Sequence, residues 1–126
     1  MISVQWLVVL GVLVVAGVLW ALKRADTVGD EAAREYLRQG AKVIDVRSVE
    51  EYRERHVPGA VNIPLDELEQ RVRKEAPDKS AVLLLHCLSG GRSAVGVRVL
   101  KRMGYAKVFN LGSLARAEKI AAKNEK

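Results

Sequence analysis

Residues 81–93 read Ala81-Val82-Leu83-Leu84-Leu85-His86-Cys87-Leu88-Ser89-Gly90-Gly91-Arg92-Ser93. The apolar run over 81–85 is typical of a strand that a parallel sheet buries on both faces. Residues 93–103 predict a helix, which Gly104 is placed to end. A short glycine-containing loop between a strand and a helix turns several backbone N–H groups toward one point. The sequence therefore predicts an anion cradle directly after a buried strand.

Cys87 is the sole cysteine of the chain and stands at the start of this loop. Loop dipoles and the Arg92 guanidinium would stabilise its thiolate, so we expect the pKa of the thiol to fall. A small buried hydrophobe at a strand end is the alternative, but it gives the glycines and Arg92 no role. A single cysteine forms no internal disulfide, and no second cysteine in the chain can resolve an oxidised or persulfidated Cys87.

Outward from this loop, predicted strands alternate with predicted helices. Ser48 and Glu51 have the spacing of a capping box, which places a short helix start at 49. We predict strands over 41–46, 60–63, 81–85 and 107–111, and helices over 30–38, 49–55, 66–75, 93–103 and 113–123. This alternation predicts an α/β fold with a parallel sheet covered on both faces. Sites in such folds lie at the carboxyl ends of strands, where Cys87 falls.

The first part of the chain has a different composition. Residues 1–22 hold no charged side chain, and all 21 Lys and Arg and all 15 Asp and Glu lie beyond them. As a helix, 2–22 would extend about 31 Å, close to the thickness of a bilayer core of about 30 Å. Trp6 and Trp20 lie near its two ends, where aromatic rings favour the membrane interface. We predict a transmembrane helix and basic flank over 1–24, a linker over 25–29 and one domain over 30–126.

Two alternatives for the apolar segment stay open. A cleaved signal peptide would need a basic n-region and a small-x-small cleavage site, and neither is present. A buried core helix would need more protein around it than this chain supplies. Lys23 and Arg24 follow the segment, so the positive-inside rule favours a single-pass protein of a bacterial-type inner membrane with a cytoplasmic domain. A periplasmic domain is the other possible orientation.

The net charge of +6 belongs to a solvated basic surface, or it attracts anionic lipid or small anionic substrates. We expect no nucleic-acid partner, because Tyr and Phe are few and are not interleaved with the basic residues. Two histidines far apart and one cysteine do not make a metal site, so we expect no metal.

Four segments together resemble a single-domain rhodanese. They are Val43-Ile44-Asp45-Val46-Arg47, His56-Val57-Pro58-Gly59-Ala60-Val61-Asn62-Ile63-Pro64, the loop 87–93 and Val108-Phe109-Asn110-Leu111-Gly112. The match extends over 30–114. The resemblance implies a rhodanese-like α/β fold with a five-stranded parallel sheet flanked by helices, and sulfurtransferase activity without a cofactor. Ser113 departs from the second glycine common in this family, and the family's downstream Trp is absent, so we expect a pocket rim that differs from the family's.

The implied chemistry is a double displacement on Cys87. Cys87 takes the outer sulfur of a donor such as thiosulfate or a persulfide, and a thiol or cyanide acceptor removes it. The substrate and the persulfide would lie against a loop of six residues: Leu88, Ser89, Gly90, Gly91, Arg92 and Ser93. Asp45 and Arg47, at the end of a neighbouring strand, are expected to have a supporting role, with structural hydrogen bonds beside the loop rather than a part in catalysis.

Individual loop residues have separate expected roles. Both glycines are expected to supply backbone angles or close approaches that a Cβ atom opposes. Arg92 would pair with an incoming sulfonate or steady the loop. His86 is expected to pack or bond locally rather than act as a general base.

Two other functions stay open. His86-Cys87 with Arg92 downstream resembles the signature of a cysteine phosphatase, but only four residues separate Cys87 from Arg92, one fewer than that signature has. The other is a membrane-tethered sulfur carrier or binding module, which would pass sulfur to an acceptor protein without turning over small donors.

Overall fold

A computed structural model describes residues 3–124, without the side chains of 22–25 and 124. Residues 1–2 and 125–126, which begin the predicted anchor and end the predicted domain, lie outside the described residues, as do the side chains of the predicted basic flank. The elements are α1 (Val4–Ala25), α2 (Asp30–Arg38), β1 (Lys42–Asp45), α3 (Val49–Glu54), β2 (Val61–Asn62), a 3₁₀ turn (Leu65–Glu67), α4 (Leu68–Glu75), β3 (Leu83–His86), α5 (Gly91–Arg102), β4 (Val108–Gly112) and α6 (Leu114–Asn124).

The strands form a parallel sheet in the order β2-β1-β3-β4. β3 is central, with Leu85 opposite Ile44 of β1 and Leu84 opposite Phe109 of β4. Leu83, Leu84 and Leu85 are completely buried. The continuous apolar run is therefore a strand covered on both faces, and the predicted α/β architecture is confirmed.

The sheet described for residues 3–124 has four strands. The number of five strands, implied by the family resemblance, is therefore wrong. At the free edge of β4 the chain makes a single parallel bridge, between Thr27 and Asn110. The extended segment is too short for a ladder, because Gly29 is already the N-cap of α2. The predicted linker 25–29 is thus partly a sheet edge.

Side chains of β3 alternate between two hydrophobic clusters, as the period of a strand requires. Leu83 and Leu85 pack with Leu68 of α4 and Leu100 of α5 on one face. Leu84 packs on the other face with a cluster that includes Ala33 of α2 and both Ala117 and Ile120 of α6.

Gly96 of α5 permits close packing against the first of these faces. A Cβ atom there would lie 2.8 Å from Leu85 and 3.2 Å from Leu68. The helix that follows the active loop is therefore held tightly against the central strand.

Helix α1 differs from the other helices because its apolar side chains are exposed. Residues Val4–Ala21 have a mean hydropathy of 2.3, and none of this segment is buried against the rest of the protein. It is long and apolar enough to cross a membrane, and its exposure does not fit a core helix. Signal sequences meet the same criteria of length and composition, so the membrane span stays a prediction.

Candidate active site

The active loop begins where β3 ends. The N–H of Cys87 donates to the Gly112 carbonyl at 3.1 Å, which fixes the loop start against β4. Gly90 is the N-cap of α5 and has φ +95°, in the left-handed region that favours glycine. Gly91 has no such φ, and a Cβ atom there would meet nothing within 4 Å. The conformational requirement predicted for both glycines holds for Gly90 only.

Cys87 lies inside the loop, and only 1% of the residue is exposed to solvent. The N–H of Gly90 donates to Sγ at 3.0 Å, and the hydroxyl of Ser93 lies 3.6 Å from it. Burial, the largest single effect, raises the pKa of the Cys87 thiol, but backbone N–H groups of Ser93, Gly90 and Ser89, with the Ser93 hydroxyl, outweigh it. The pKa is therefore lowered, in the direction predicted from the sequence.

Arg92 is bound to a carboxylate rather than directed at open solvent. Its two terminal nitrogens donate to the Glu51 carboxylate at 2.7 and 3.0 Å. The Arg92 guanidinium, with smaller contributions from the Ser48 N–H and hydroxyl, lowers the pKa of Glu51 to about 2. Glu51, and to a smaller extent Cys87, raise the pKa of Arg92. The positive charge of Arg92 is thus shared between Glu51 and the loop sulfur.

Glu51 also has the role that the sequence predicted for it. Ser48 accepts the Glu51 N–H at 3.2 Å, and the Glu51 carboxylate accepts the Ser48 N–H at 3.1 Å, so the capping box of α3 is confirmed. The sequence around Glu51 gave no signal of its second role, the ion pair with Arg92, because Arg92 is 41 residues away.

Asn110 is a functional candidate that the sequence placed only within the closing strand. Its Oδ1 accepts from the Ser93 hydroxyl at 2.7 Å and from the Gly112 N–H at 2.9 Å. Its Nδ2 donates to the Gly90 carbonyl at 3.1 Å. This buried amide therefore ties β4 to the middle of the loop, at Gly90, and to its end, at Ser93. An asparagine inside an otherwise apolar strand was the available signal.

Asp45 and Arg47 form a buried ion pair at the end of β1. Arg47 donates to the Asp45 carboxylate at 2.7 and 3.0 Å, and its backbone N–H donates there at 2.9 Å. The guanidinium also donates to the Arg55 carbonyl at 2.6 Å. Asp45 is paired in register with His86, directly before Cys87. The pair thus lies beside the loop, where it closes the turn after β1.

His86 is completely buried and bonds locally. Its Nδ1 lies 3.2 Å from the carbonyl of Cys87, and its Nε2 lies 3.6 Å from the Asp45 carboxylate. Burial lowers the pKa of His86 and favours the neutral ring. The imidazole thus contacts the backbone of Cys87.

The rim of the site is partly apolar. Leu88 is 57% exposed directly beside the buried cysteine. Ser89 forms an isolated antiparallel bridge with Ser113. Ser113 accepts the Arg116 N–H at 3.1 Å, so the serine that replaces the family's glycine caps the start of α6.

A depression of about 400 Å³ opens beside Arg92, within the size range of small-molecule sites. Its other lining residues are Val46, Ser48, Pro64, Leu65 and Asp66. Of the active loop only Arg92 lines this depression, and Cys87 does not.

These features define a class of protein: a parallel α/β domain with a cysteine nucleophile in an N–H-lined loop at the end of its central strand. The model of the rhodanese-like domain matches residues 29–115, and the chain belongs to this family.

Individual relatives agree with this assignment. The chain is 42% identical over 71 residues to the thiosulfate sulfurtransferase PspE of Escherichia coli (strain K12), an alignment that covers 56% of this chain and 68% of that protein. It is 37% identical to the putative sulfur carrier protein YrkF of Bacillus subtilis (strain 168), over 58% of this chain but only 38% of that longer protein.

Solved structures show the same fold. A rhodanese with anions from E. coli superposes with a TM-score of 0.60 at 39% identity, over 61% of this chain and 91% of that one. The human single-domain sulfurtransferase TSTD1 superposes with a TM-score of 0.62 at 29% identity, over 80% of this chain and 98% of that one.

Proposed function

We propose that this protein is a sulfurtransferase that carries sulfane sulfur on Cys87 as a persulfide. The observation that carries the proposal is the 3.0 Å contact between the Gly90 N–H and Sγ, at the end of the central strand. A hydrogen bond to a charged acceptor is worth about 1.5–3 kcal/mol, more than a bond between neutral groups. The loop therefore favours negative charge on sulfur.

In the first half-reaction, the Cys87 thiolate attacks the outer sulfur of a donor such as thiosulfate. The sulfur–sulfur bond of the donor breaks, and sulfite leaves with the electron pair. A new sulfur–sulfur bond forms on Cys87, and its terminal sulfur carries the negative charge. Loop N–H groups stabilise this charge as an oxyanion hole stabilises oxygen.

In the second half-reaction, an acceptor nucleophile attacks the terminal sulfur. Cyanide would give thiocyanate, and a thiol would give a new persulfide. The bond to Cys87 breaks in either case, and the thiolate is regenerated. Since the chain has no second cysteine, the acceptor must come from another molecule.

A sulfur carrier that passes its persulfide to an acceptor protein is the second candidate. It is favoured by the exposed Leu88 beside Cys87, since an apolar rim suits a protein surface. The Glu51 carboxylate also balances the charge of Arg92, which weakens attraction for a small anionic donor. The name of YrkF points to such a role in that relative.

We also propose that α1 anchors the domain in a bilayer. The exposed apolar surface of Val4–Ala21 and its mean hydropathy of 2.3 support this anchor. Lys23 and Arg24 favour a cytoplasmic domain at a bacterial-type inner membrane.

Two measurements on the wild type and Cys87→Ser test the chemistry. Intact mass after thiosulfate treatment should increase by one sulfur in the wild type and not in the variant. Thiocyanate formation with thiosulfate and cyanide should require Cys87. Mass gain without turnover would favour the carrier, whereas no mass gain with thiosulfate or with a persulfide donor would contradict both sulfur functions. Turnover of an aryl phosphate but not of thiosulfate would favour a phosphatase.

A further inference from the structure

The segment that joins the apolar helix to the domain is short and is hydrogen-bonded to the sheet. Helix α1 ends at Ala25, and the next residue is already bonded to the sheet. The Asn110 N–H donates to the Asp26 carbonyl at 2.7 Å, and the Val28 N–H donates to the Asn110 carbonyl at 3.1 Å. A surface that meets the end of α1 therefore also meets the domain.

The direction of the linker shows which end of the domain lies beside the end of α1. Thr27 pairs with Asn110 in parallel, so the chain runs from α1 toward the carboxyl end of β4. Asp26, on the α1 side, lies toward the amino end of the strands. Lys101 supports this placement, because its Nζ is 2.7 Å from the Asp26 carboxylate. Lys101 belongs to the last turn of α5, which starts at the carboxyl end of β3 and returns to the amino end.

The amino end of the sheet carries exposed positive charge, which we call the cationic face. Its residues surround the end of α5: Arg73, Lys79, Lys101, Arg102 and Lys107. Arg73 and Arg102 line one depression, and Lys79 donates to the Met103 carbonyl at 2.7 Å. Cations at helix ends also complement helix dipoles, but Lys107 lies in the loop before β4, where no helix ends.

Three acidic residues offset part of this charge without reversing it. Asp26 pairs with Lys101, Asp78 bonds to Ser80 in the turn before β3, and the exposed Glu69 lines the same depression as Arg73 and Arg102. Five of the described cations thus face three of the described anions, so the surface beside the end of α1 stays positive.

We propose that the cationic face lies on a bilayer surface with anionic headgroups, which turns the active loop away from the membrane. This rests on the proposed anchor, because α1 brings the face to the lipid. Basic residues next to a membrane span are attracted by anionic lipid. Cys87 follows the carboxyl end of β3, a strand of four residues and thus about 13 Å long, so the loop faces the aqueous phase. The sulfur acceptor then reaches Cys87 from the aqueous phase and not from within the lipid.

Two reporters on the full-length chain test this orientation. In a Cys87→Ser background, Ser80→Cys places a fluorophore beside the cationic face and Leu88→Cys places one on the active-loop rim; both positions are exposed. The chain is reconstituted into vesicles of phosphatidylcholine, with or without phosphatidylglycerol, that carry nitroxide headgroups. We expect quenching at position 80 to exceed that at position 88 severalfold in anionic vesicles, and the ratio to fall without phosphatidylglycerol.

Charge variants provide the matched control. Arg102→Glu with Lys107→Glu should reduce the ratio in anionic vesicles, whereas Arg53→Glu with Arg55→Glu, an equal charge change near α3, should leave it unchanged. Equal quenching at both positions, or stronger quenching at 88, would overturn the orientation. Failure to float with phosphatidylcholine vesicles would instead contradict the anchor, and with it the proposal. Sulfur loading of Cys87 depends on neither result.

Discussion

Glu51 and Arg92 join the first turn of α3 to the active loop through two hydrogen bonds, of 2.7 and 3.0 Å. The guanidinium that follows the cysteine loop is therefore balanced by a carboxylate before any substrate arrives. An anionic donor gains less from Arg92 in this arrangement than it would from an unpaired guanidinium. The pair thus influences which donors the site favours.

Neutralising Glu51 should increase the affinity for an anionic donor. In Glu51→Gln the charge of Arg92 is no longer balanced, and we expect the KM for thiosulfate to fall severalfold. Glu50→Gln, on the exposed side of the same helix turn, is the control and should leave KM unchanged. Steady-state kinetics at several thiosulfate concentrations measure the effect. A lower kcat at constant KM would show that Glu51 only positions Arg92.

The same pair should make stability sensitive to acid. The pKa of Glu51 is lowered from 4.5 to about 2, so its stabilising effect is complete above pH 4.5 and is lost as the pH falls through 2. Because both side chains are partly exposed, we expect a contribution of only about 1 kcal/mol. Urea unfolding of the wild type and Glu51→Gln should therefore differ at pH 7, and the difference should be much smaller at pH 2. A difference at pH 2 as large as that at pH 7 would contradict this origin.

Gly90→Ala should raise the pKa of Cys87. The left-handed φ of +95° disfavours a side chain by about 1–2 kcal/mol, so the loop would relax and move its N–H away from the sulfur. Iodoacetamide alkylation followed against pH should then have a higher midpoint than the wild type. Gly91→Ala is the matched control, because its φ is ordinary and its Cβ has space. Equal midpoints in all three proteins would contradict a role for the Gly90 N–H.

Asn110→Asp should also raise the pKa of Cys87, for an electrostatic reason. The carboxylate keeps the acceptor for Ser93 and Gly112 but places a negative charge near the thiolate and removes the donor to the Gly90 carbonyl. We expect slower alkylation at neutral pH. Asn110→Ala leaves buried partners unsatisfied, which should cost about 1–3 kcal/mol in urea unfolding. Unchanged alkylation in the folded Asp variant would show that Asn110 has no influence on the sulfur.

Cys87→Ala should abolish sulfur loading and leave the protein folded. The sulfur packs within the hydrophobic cluster around Leu85, so its removal should cost about 1–2 kcal/mol. Circular dichroism and urea unfolding measure the fold, and intact mass measures loading. Loss of folding would indicate that Cys87 is mainly a packing residue.

Local patterns sufficed for the elements and for the position of Cys87. The apolar run over 81–85 is typical of a strand covered on both faces, and the spacing of Ser48 and Glu51 favours a helix start; the structure has both. The position of Gly90 after the cysteine likewise predicted a backbone turned toward the sulfur. These features depend on residues within a few positions of one another.

Other features depend on packing between distant segments. The bridge of Thr27 to Asn110 replaces a full fifth strand, because α2 starts too soon after it. Arg92 could equally have faced the solvent or a sulfonate, and Asn110 had no local partner that would reveal its contact with the loop.

The amino-acid sequence by itself determined where the strands, helices and nucleophilic loop lie, because hydrophobic period, capping and glycine conformation act over a few residues. Only the tertiary structure decided that Glu51 balances Arg92, that Asn110 braces the loop, and that the linker enters at the end opposite Cys87. These contacts join residues between 20 and 83 positions apart, whose meeting is set by how the helices pack on the sheet.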